Sequence, residues 1–328
     1  MQMTKRERLM AVLNGENPDR IPASFWFHFE GDQVIGEACV QAHLDYYRAT
    51  DIDFIKIMCD GIAYPILQVI DSPKDWYNLK PLPRDHSFFA DTIHRCKRIN
   101  EELNGECYTF YNVFSPFNII RGRDVFTENA LQGRSWDETV MAHLKEDEEA
   151  VRYALQVIGE DMAFLAEQVI VEGGCLGIYQ SLQGAEKGRM TKEEYDRIVK
   201  PSDLLVIGAA NKVSDYNILH LCSWAGDANH LSYWQDYPSR VKNWGVGIEG
   251  MSLREGLEFF PEGTVISGGL DNRRNHPLAS GTEAEVKAAV RAVLAEMEGV
   301  PFILGADCTV PADTDWSHIK WVLETVRS

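Results

Sequence analysis

The stretch EDEEAVRYALQVIGEDMAFLAEQVIVEGGCLGIYQ, residues 146–180, sets a helix against a strand and decides the fold. Over 146–172 apolar side chains recur at Val151, Ala154, Leu155, Ile158, Met162, Leu165 and Val169, three or four residues apart, so they line one stripe of a helix. Residues 175–180 then form a short β-rich run behind a pair of glycines. The same alternation repeats outward from this pair. Further β-rich runs fall at 21–29, 53–58, 107–113, 217–222, 244–249, 264–270 and 301–306, each bounded by Gly, Pro, Asp or Asn. Thr191 and Glu194 offer a capping box for a helix running to about Val213, and Thr282 and Glu285 open another toward Met297. Eight strand–helix repeats predict an α/β fold, a single (β/α)8 TIM barrel spanning residues 1–328 as one domain. A doubly wound sheet alternates in the same way, and the count of eight favours the barrel. No Gly-x-Gly-x-x-Gly follows the first strand and no Gly-x-x-x-x-Gly-Lys-Ser/Thr occurs, so dinucleotide and P-loop readings fall away.

The composition fits an enzyme with ample core: 328 residues, 45% apolar and 25% charged. A formal net charge of −18 argues against a nucleic-acid or anionic membrane partner, since both need clustered Lys and Arg. There is no 18-residue apolar run to span a bilayer, and no apolar core follows the first charges as in a secretory signal. The seven cysteines are an odd set without framework spacing, which suits reduced thiols in a cytoplasmic protein.

In such a barrel the chemistry sits at the carboxyl ends of the strands. Those ends offer Trp26, Phe27 and His28; Lys56 and Met58; Asn112, Phe114 and Ser115; Tyr179 and Gln180; His220 and Cys222; Glu249; Asp271; and Cys308. His220 and Cys222 carry the most weight. Two residues apart on a strand, they point to the same side. With Cys308 they make one imidazole and two thiolates, a set that favours zinc over magnesium or calcium and leaves a fourth position open. The competing reading makes Cys222 and Cys308 two more buried thiols and His220 a hydrogen-bonded core histidine. Spacing alone leaves both open.

Several motifs bear on the choice: Lys5-Arg-Glu-Arg8, Asn17-Pro-Asp-Arg-Ile-Pro22, Gly268-Gly-Leu-Asp271, Ile303-Leu-Gly-Ala-Asp-Cys308 and Val310-Pro-Ala-Asp-Thr314. Through them the chain resembles the uroporphyrinogen decarboxylase superfamily over nearly its whole length. His220-x-Cys222 with a distant Cys308 is similar to the zinc motif of its corrinoid-linked methyltransferase branch. Members of that branch move methyl groups between a methylcorrinoid and a thiol or other acceptor, or from a methyl donor to the corrinoid. The resemblance implies zinc on His220, Cys222 and Cys308. It also implies a corrinoid (cobalamin) on a partner protein, a small methyl donor or acceptor such as a thiol or a methoxylated aromatic, and O-demethylation as one form of the reaction. A homodimer is the assembly it allows. The decarboxylase branch carries an Arg-rich segment after the first strand to bind tetrapyrrole carboxylates, whereas here Ser24-Phe-Trp-Phe-His-Phe-Glu30 has no Arg.

The expected pocket around the zinc is therefore mostly apolar, lined by Trp26, Met58, Phe114 and Tyr179, with Trp26 and His28 as the inward set of the first strand. A packed first strand explains the same aromatics. Glu249 is a candidate fourth ligand or acid/base partner, Asp271 a candidate to orient His220 or to cap a turn, and His28 a weaker catalytic candidate beside Lys56. Trp224, Trp234 and Trp244 mark either a docking face for the corrinoid protein or ordinary loop packing. Two other functions stand beside methyl transfer: decarboxylation of a small or tetrapyrrole acid, and a non-catalytic zinc-containing barrel that binds a ligand.

Overall fold

The computed structural model describes residues 2–66, 69–122, 136–223 and 226–328. At its centre is a curled parallel sheet of seven strands in sequential order: β1 (Phe54–Ile57), β2 (Tyr108–Phe114), β3 (Gly177–Leu182), β4 (Ile218–Leu221), β5 (Val241–Trp244), β6 (Val265–Leu270) and β7 (Ile303–Ala306). Parallel neighbours need a crossover between them, and helical turns supply it each time. Helices on the outside cover the sheet, so even the four-residue strands are buried along their whole length.

Seven strands replace the expected eight because the run at 21–29 forms none, and a second run is displaced. Residues 21–29 form no strand; Ala23 alone makes a parallel bridge, to Leu304. Pro22 has no N–H to give, and beyond Ser24 the segment leaves the ladder. It nonetheless touches both edges of the sheet: the Ser24 amide donates to Leu304 O at 3.1 Å, and the Asp53 amide donates to Ala23 O at 2.9 Å. The run at 244–249 is displaced, with the strand at Val241–Trp244 and a helical turn at Val246–Glu249 ending on Gly250 at φ +68°. The remaining six runs become strands within two residues of their expected starts.

The helix Glu148–Val171 buries all seven residues of the predicted stripe. Each buried Val, Leu, Ile or Met of the stripe contributes about 1.5–3 kcal/mol of apolar transfer, which seats this helix against its neighbouring helices and the sheet. The helix expected from Thr191 to Val213 is two, Lys192–Ile198 and Lys200–Asn211, because Pro201 is tolerated in a first turn and not in an interior. At the amino-terminal side, Asp53 accepts from Arg8 at 2.9 Å and from Arg20 at 2.8 Å, tying the helix Lys5–Leu13 to the entry of β1. Two of the N-terminal motifs thus do structural work far from the strand ends that matter for chemistry. Among the described residues no helix is long and apolar enough to cross a membrane.

Candidate metal centre and its cavity

Three side chains from the ends of two strands, β4 and β7, meet at one point. His220 lies in β4, Cys222 directly follows it, and Cys308 stands two residues past β7. One ligand atom from each lies within 4.8 Å of the other two. Donors around a tetrahedral zinc stand about 3.3–3.8 Å apart, given bonds of about 2.0–2.3 Å, so only small side-chain adjustments separate this triad from a loaded site.

The imidazole is held by Asn243 of β5, paired with His220 in the register of the sheet. Nδ2 of Asn243 donates to Ser267 O at 3.0 Å and Ala306 O at 3.2 Å, which turns its Oδ1 toward His220 Nδ1 at 2.6 Å. Tyr179 Oη donates to the same Oδ1 at 2.8 Å, and its ring stacks on His220 with centroids 5.4 Å apart. Nδ1 of His220 must therefore carry the proton, leaving a lone pair on Nε2, which is buried and has no hydrogen-bond partner. A bare imidazole nitrogen beside two sulfurs is the donor set a zinc ion takes. The Cys222 thiol donates to Cys308, and this bond holds Cys308 well below the ordinary thiol range, helped by the nearby Lys56 ammonium, while Cys222 is held above it.

The triad opens into a cavity of about 1000 Å³ whose wall also includes His28, Phe29, Val34, Lys56, Phe114 and Gln183. A smaller chamber of about 100 Å³ adjoins it past Asn112, between Tyr64, Phe88, Tyr111 and Leu165. Asn112 Oδ1 is buried without a hydrogen-bond partner, and its Nδ2 donates to Cys59 Sγ at 3.0 Å. On the rim, Asp60 accepts from His28 Nδ1 at 2.6 Å and from the Phe29 amide at 2.9 Å.

Of the expected pocket residues, Phe114 and His28 line the cavity and three others do not. Trp26 and Tyr179 pack edge to face beneath it, centroids 5.0 Å apart, and Met58 is buried toward Phe25 and His43. His28 reaches the cavity, whereas Trp26 packs against Tyr179 and Lys56. Phe27 faces the other way, onto Phe29, Tyr46 and Trp316. Glu249 is not among the grouped metal donors. Ser223 Oγ donates to it at 2.6 Å and Asn229 donates from its amide at 2.8 Å and from Nδ2 at 2.7 Å, so this carboxylate braces the chain leaving Cys222. Asp271 does not orient His220 either, a part Asn243 takes; it binds Arg273 and lies 3.3 Å from His276 Nε2. Trp234 and Trp244 are fully buried, bonded to Tyr195 Oη and Met251 O, and present no docking face; Trp224 lies outside the described residues.

Lys56 gains importance. Burial pushes its ammonium down to about 8, and it sits 3.8 Å from the Tyr179 ring centroid and 4.9 Å from that of Trp26. Asn243 escaped the sequence reading because its value depends on the register between β4 and β5 and on the carbonyls of β6 and β7. Nothing local in Val241-Lys-Asn-Trp244 signals that.

No curated protein matches the chain. Among solved structures it resembles a methyltransferase from Methanosarcina mazei, at a TM-score of 0.74 and 14% identity with 99% of each chain covered. It also resembles a B12-independent methionine synthase from Shewanella sp. W3-18-1, at a TM-score of 0.54 and 10% identity, covering 94% of this chain and 92% of that one. Identities this low speak for the fold alone. The stronger tie is in the sequence itself: the family model described as uroporphyrinogen decarboxylase matches residues 55–328, from β1 through the last helix and across all three grouped donors, and the chain belongs to that family.

Proposed function

We propose that this chain is a zinc-dependent methyltransferase that moves a methyl group between a corrinoid on a partner protein and a small substrate, a thiol or a methoxylated aromatic. One observation carries the reading: His220, Cys222 and Cys308 converge at the wall of a large cavity, with His220 Nε2 bare and its other nitrogen fixed. A closed four-ligand site would favour a structural ion, whereas three donors facing open space leave room for a substrate atom. The name of the solved relative from Methanosarcina mazei agrees. When bound, zinc would act as a Lewis acid, lowering the pKa of a thiol or polarising an ether oxygen.

The chain's own residues do the rest. Asn243 holds the His220 ring in its donor tautomer, and Glu249 fixes the path of the chain after Cys222. Asp60 accepts a hydrogen bond from His28 Nδ1–H, which leaves His28 Nε2, on a half-exposed side chain, to accept a proton from an incoming thiol. Phe114 and the chamber past Asn112 receive the apolar part of the substrate. Residues 1–328 act as one domain in this reading, and the closed eight-stave barrel follows if 21–29 serves as the stave between β7 and β1. Tetrapyrrole decarboxylation fits less well. Among the described residues Arg121 is the one arginine lining the cavity, and Glu186 and Asp137 hold it at 2.5 and 3.0 Å.

The test is metal analysis of the purified protein together with methyl-transfer assays against thiols and methoxylated aromatics in the presence of a corrinoid protein. Stoichiometric zinc and turnover that Cys308→Ser abolishes are expected. Metal-free protein that still turns over, or turnover of uroporphyrinogen, would overturn the reading.

A further inference from the structure

Five lysines and arginines are buried among the described residues: Arg8, Lys56, Arg95, Arg121 and Lys242. Four have conventional partners. Arg8 pairs with Asp53, Arg121 with Glu186, Arg95 donates to the carbonyls of Val34, Met58 and Asp60, and Lys242 donates to Tyr237 O at 2.6 Å. Lys56 differs. Among the described residues no oxygen accepts a hydrogen bond from its ammonium and no carboxylate pairs with it; two aromatic rings, Tyr179 and Trp26, are its close company. Asp60, on the same wall, is engaged by His28 and the Phe29 amide.

A buried cation is expensive unless an opposite charge or acceptors meet it, and aromatic faces return only part of that cost. Lys56 lines the cavity together with His220, Cys222 and Cys308, so a molecule bound there can meet its ammonium. Two thiolates and a neutral imidazole balance a divalent ion, so a loaded triad supplies no surplus negative charge to Lys56. We infer that Lys56 recognises an anionic substituent of the substrate, a carboxylate carried by the methyl donor or acceptor apart from its reacting atom. This rests on the reading of the cavity as the substrate site and deepens it: the preferred substrates are small carboxylic acids rather than neutral thiols or ethers.

Binding can be measured without methyl transfer, by calorimetry on the purified protein with two matched pairs of probes. One pair is 4-methoxybenzoate and 4-methoxybenzyl alcohol; the other is 3-mercaptopropionate and 3-mercapto-1-propanol. The wild type should bind the acid of each pair at least tenfold more tightly than the alcohol. Lys56→Met should erase that preference and Lys56→Arg should keep most of it, with circular dichroism showing the fold retained. Equal affinity of acid and alcohol for the wild type overturns the inference, and that comparison needs no variant to fold. An undiminished preference in Lys56→Met does the same. If Lys56 served only an ionised sulfur, the substitution would weaken both thiols alike and leave the methoxy pair unchanged, which also overturns it. Intact acid preference without methyl transfer to any acceptor supports the role of Lys56 and removes the methyltransferase reading instead.

Discussion

Asn243 is where one side chain governs the proposed chemistry. It makes four hydrogen bonds, and three of them fix the amide so that its oxygen meets His220. Asn243→Ala frees Nδ1 of His220 and lets the ring turn, so zinc affinity should fall about 10–100-fold, the usual consequence of losing such a support. Competition with a chromophoric chelator measures this, and unchanged affinity would show that the ring is held by packing alone. A second buried site makes a prediction about pH. Asp203 accepts from Tyr195 Oη at 2.9 Å and Tyr237 Oη at 3.3 Å, but burial outweighs these bonds and pushes its carboxyl up to about 8. Between about pH 4 and 8 the folded chain keeps a proton that the unfolded chain releases, so this group's stabilisation is lost as pH rises toward 8. Lys242, pushed down to about 7 by burial, acts oppositely between pH 7 and its ordinary value of 10.5. Asp203→Asn should therefore gain melting temperature relative to the wild type as pH goes from 5 to 8.5. A difference constant with pH would exclude the buried proton.

Among the elements, β6 shows how backbone shape reaches the metal site. Gly268 and Gly269 stand at φ +131° and +106°, a region glycine alone enters without strain, and a Cβ on Gly268 would lie 3.0 Å from Asn243 Nδ2. Gly268→Ala should lower stability by about 1–3 kcal/mol and also weaken zinc binding by displacing Asn243. Gly263 at φ +85° has open space around its missing Cβ, so Gly263→Ala should show strain alone. Equal zinc affinity in the two variants would cut the proposed link. The double glycine was legible as a family motif, but its contact with Asn243 was not, because that contact is made between strands. Elsewhere legibility followed how local the cause was. The stripe of 148–171 and the capping boxes at Thr191 and Thr282 are written within single turns and appear as expected. The strand at Val241–Trp244 was missed because Lys242, which ends buried against the Tyr237 carbonyl, reads locally as polar surface. The helical turn Val246–Glu249 reads as strand in the sequence because short apolar runs flanked by glycine do not declare their period.

At the scale of the molecule, the buried apolar residues form one continuous cluster that runs from Leu9 in the first helix to Val326 in the last. Asn243 is anchored by protein carbonyls, and Glu249 by Ser223 and Asn229, so the supports of the triad close without an ion. A metal bound to such a frame adds stability by mass action rather than by holding the fold together. At 100–1,000 times its dissociation constant a ligand contributes about 2.7–4.1 kcal/mol. With an unfolding entropy of about 2.1 cal/mol/K per residue, that corresponds to a shift of about 4–6 °C for a chain of 328 residues. Stripping zinc with a chelator should thus abolish methyl transfer, lower the melting temperature by about that amount, leave the far-ultraviolet dichroism unchanged and be reversed by added zinc. Cys222→Ala should behave as the stripped wild type does, and chelator should have no further effect on it. Cooperative loss of dichroism on chelation at 25 °C would instead mean that the ion is part of the core, and the open fourth position, with the chemistry proposed for it, would have to be given up.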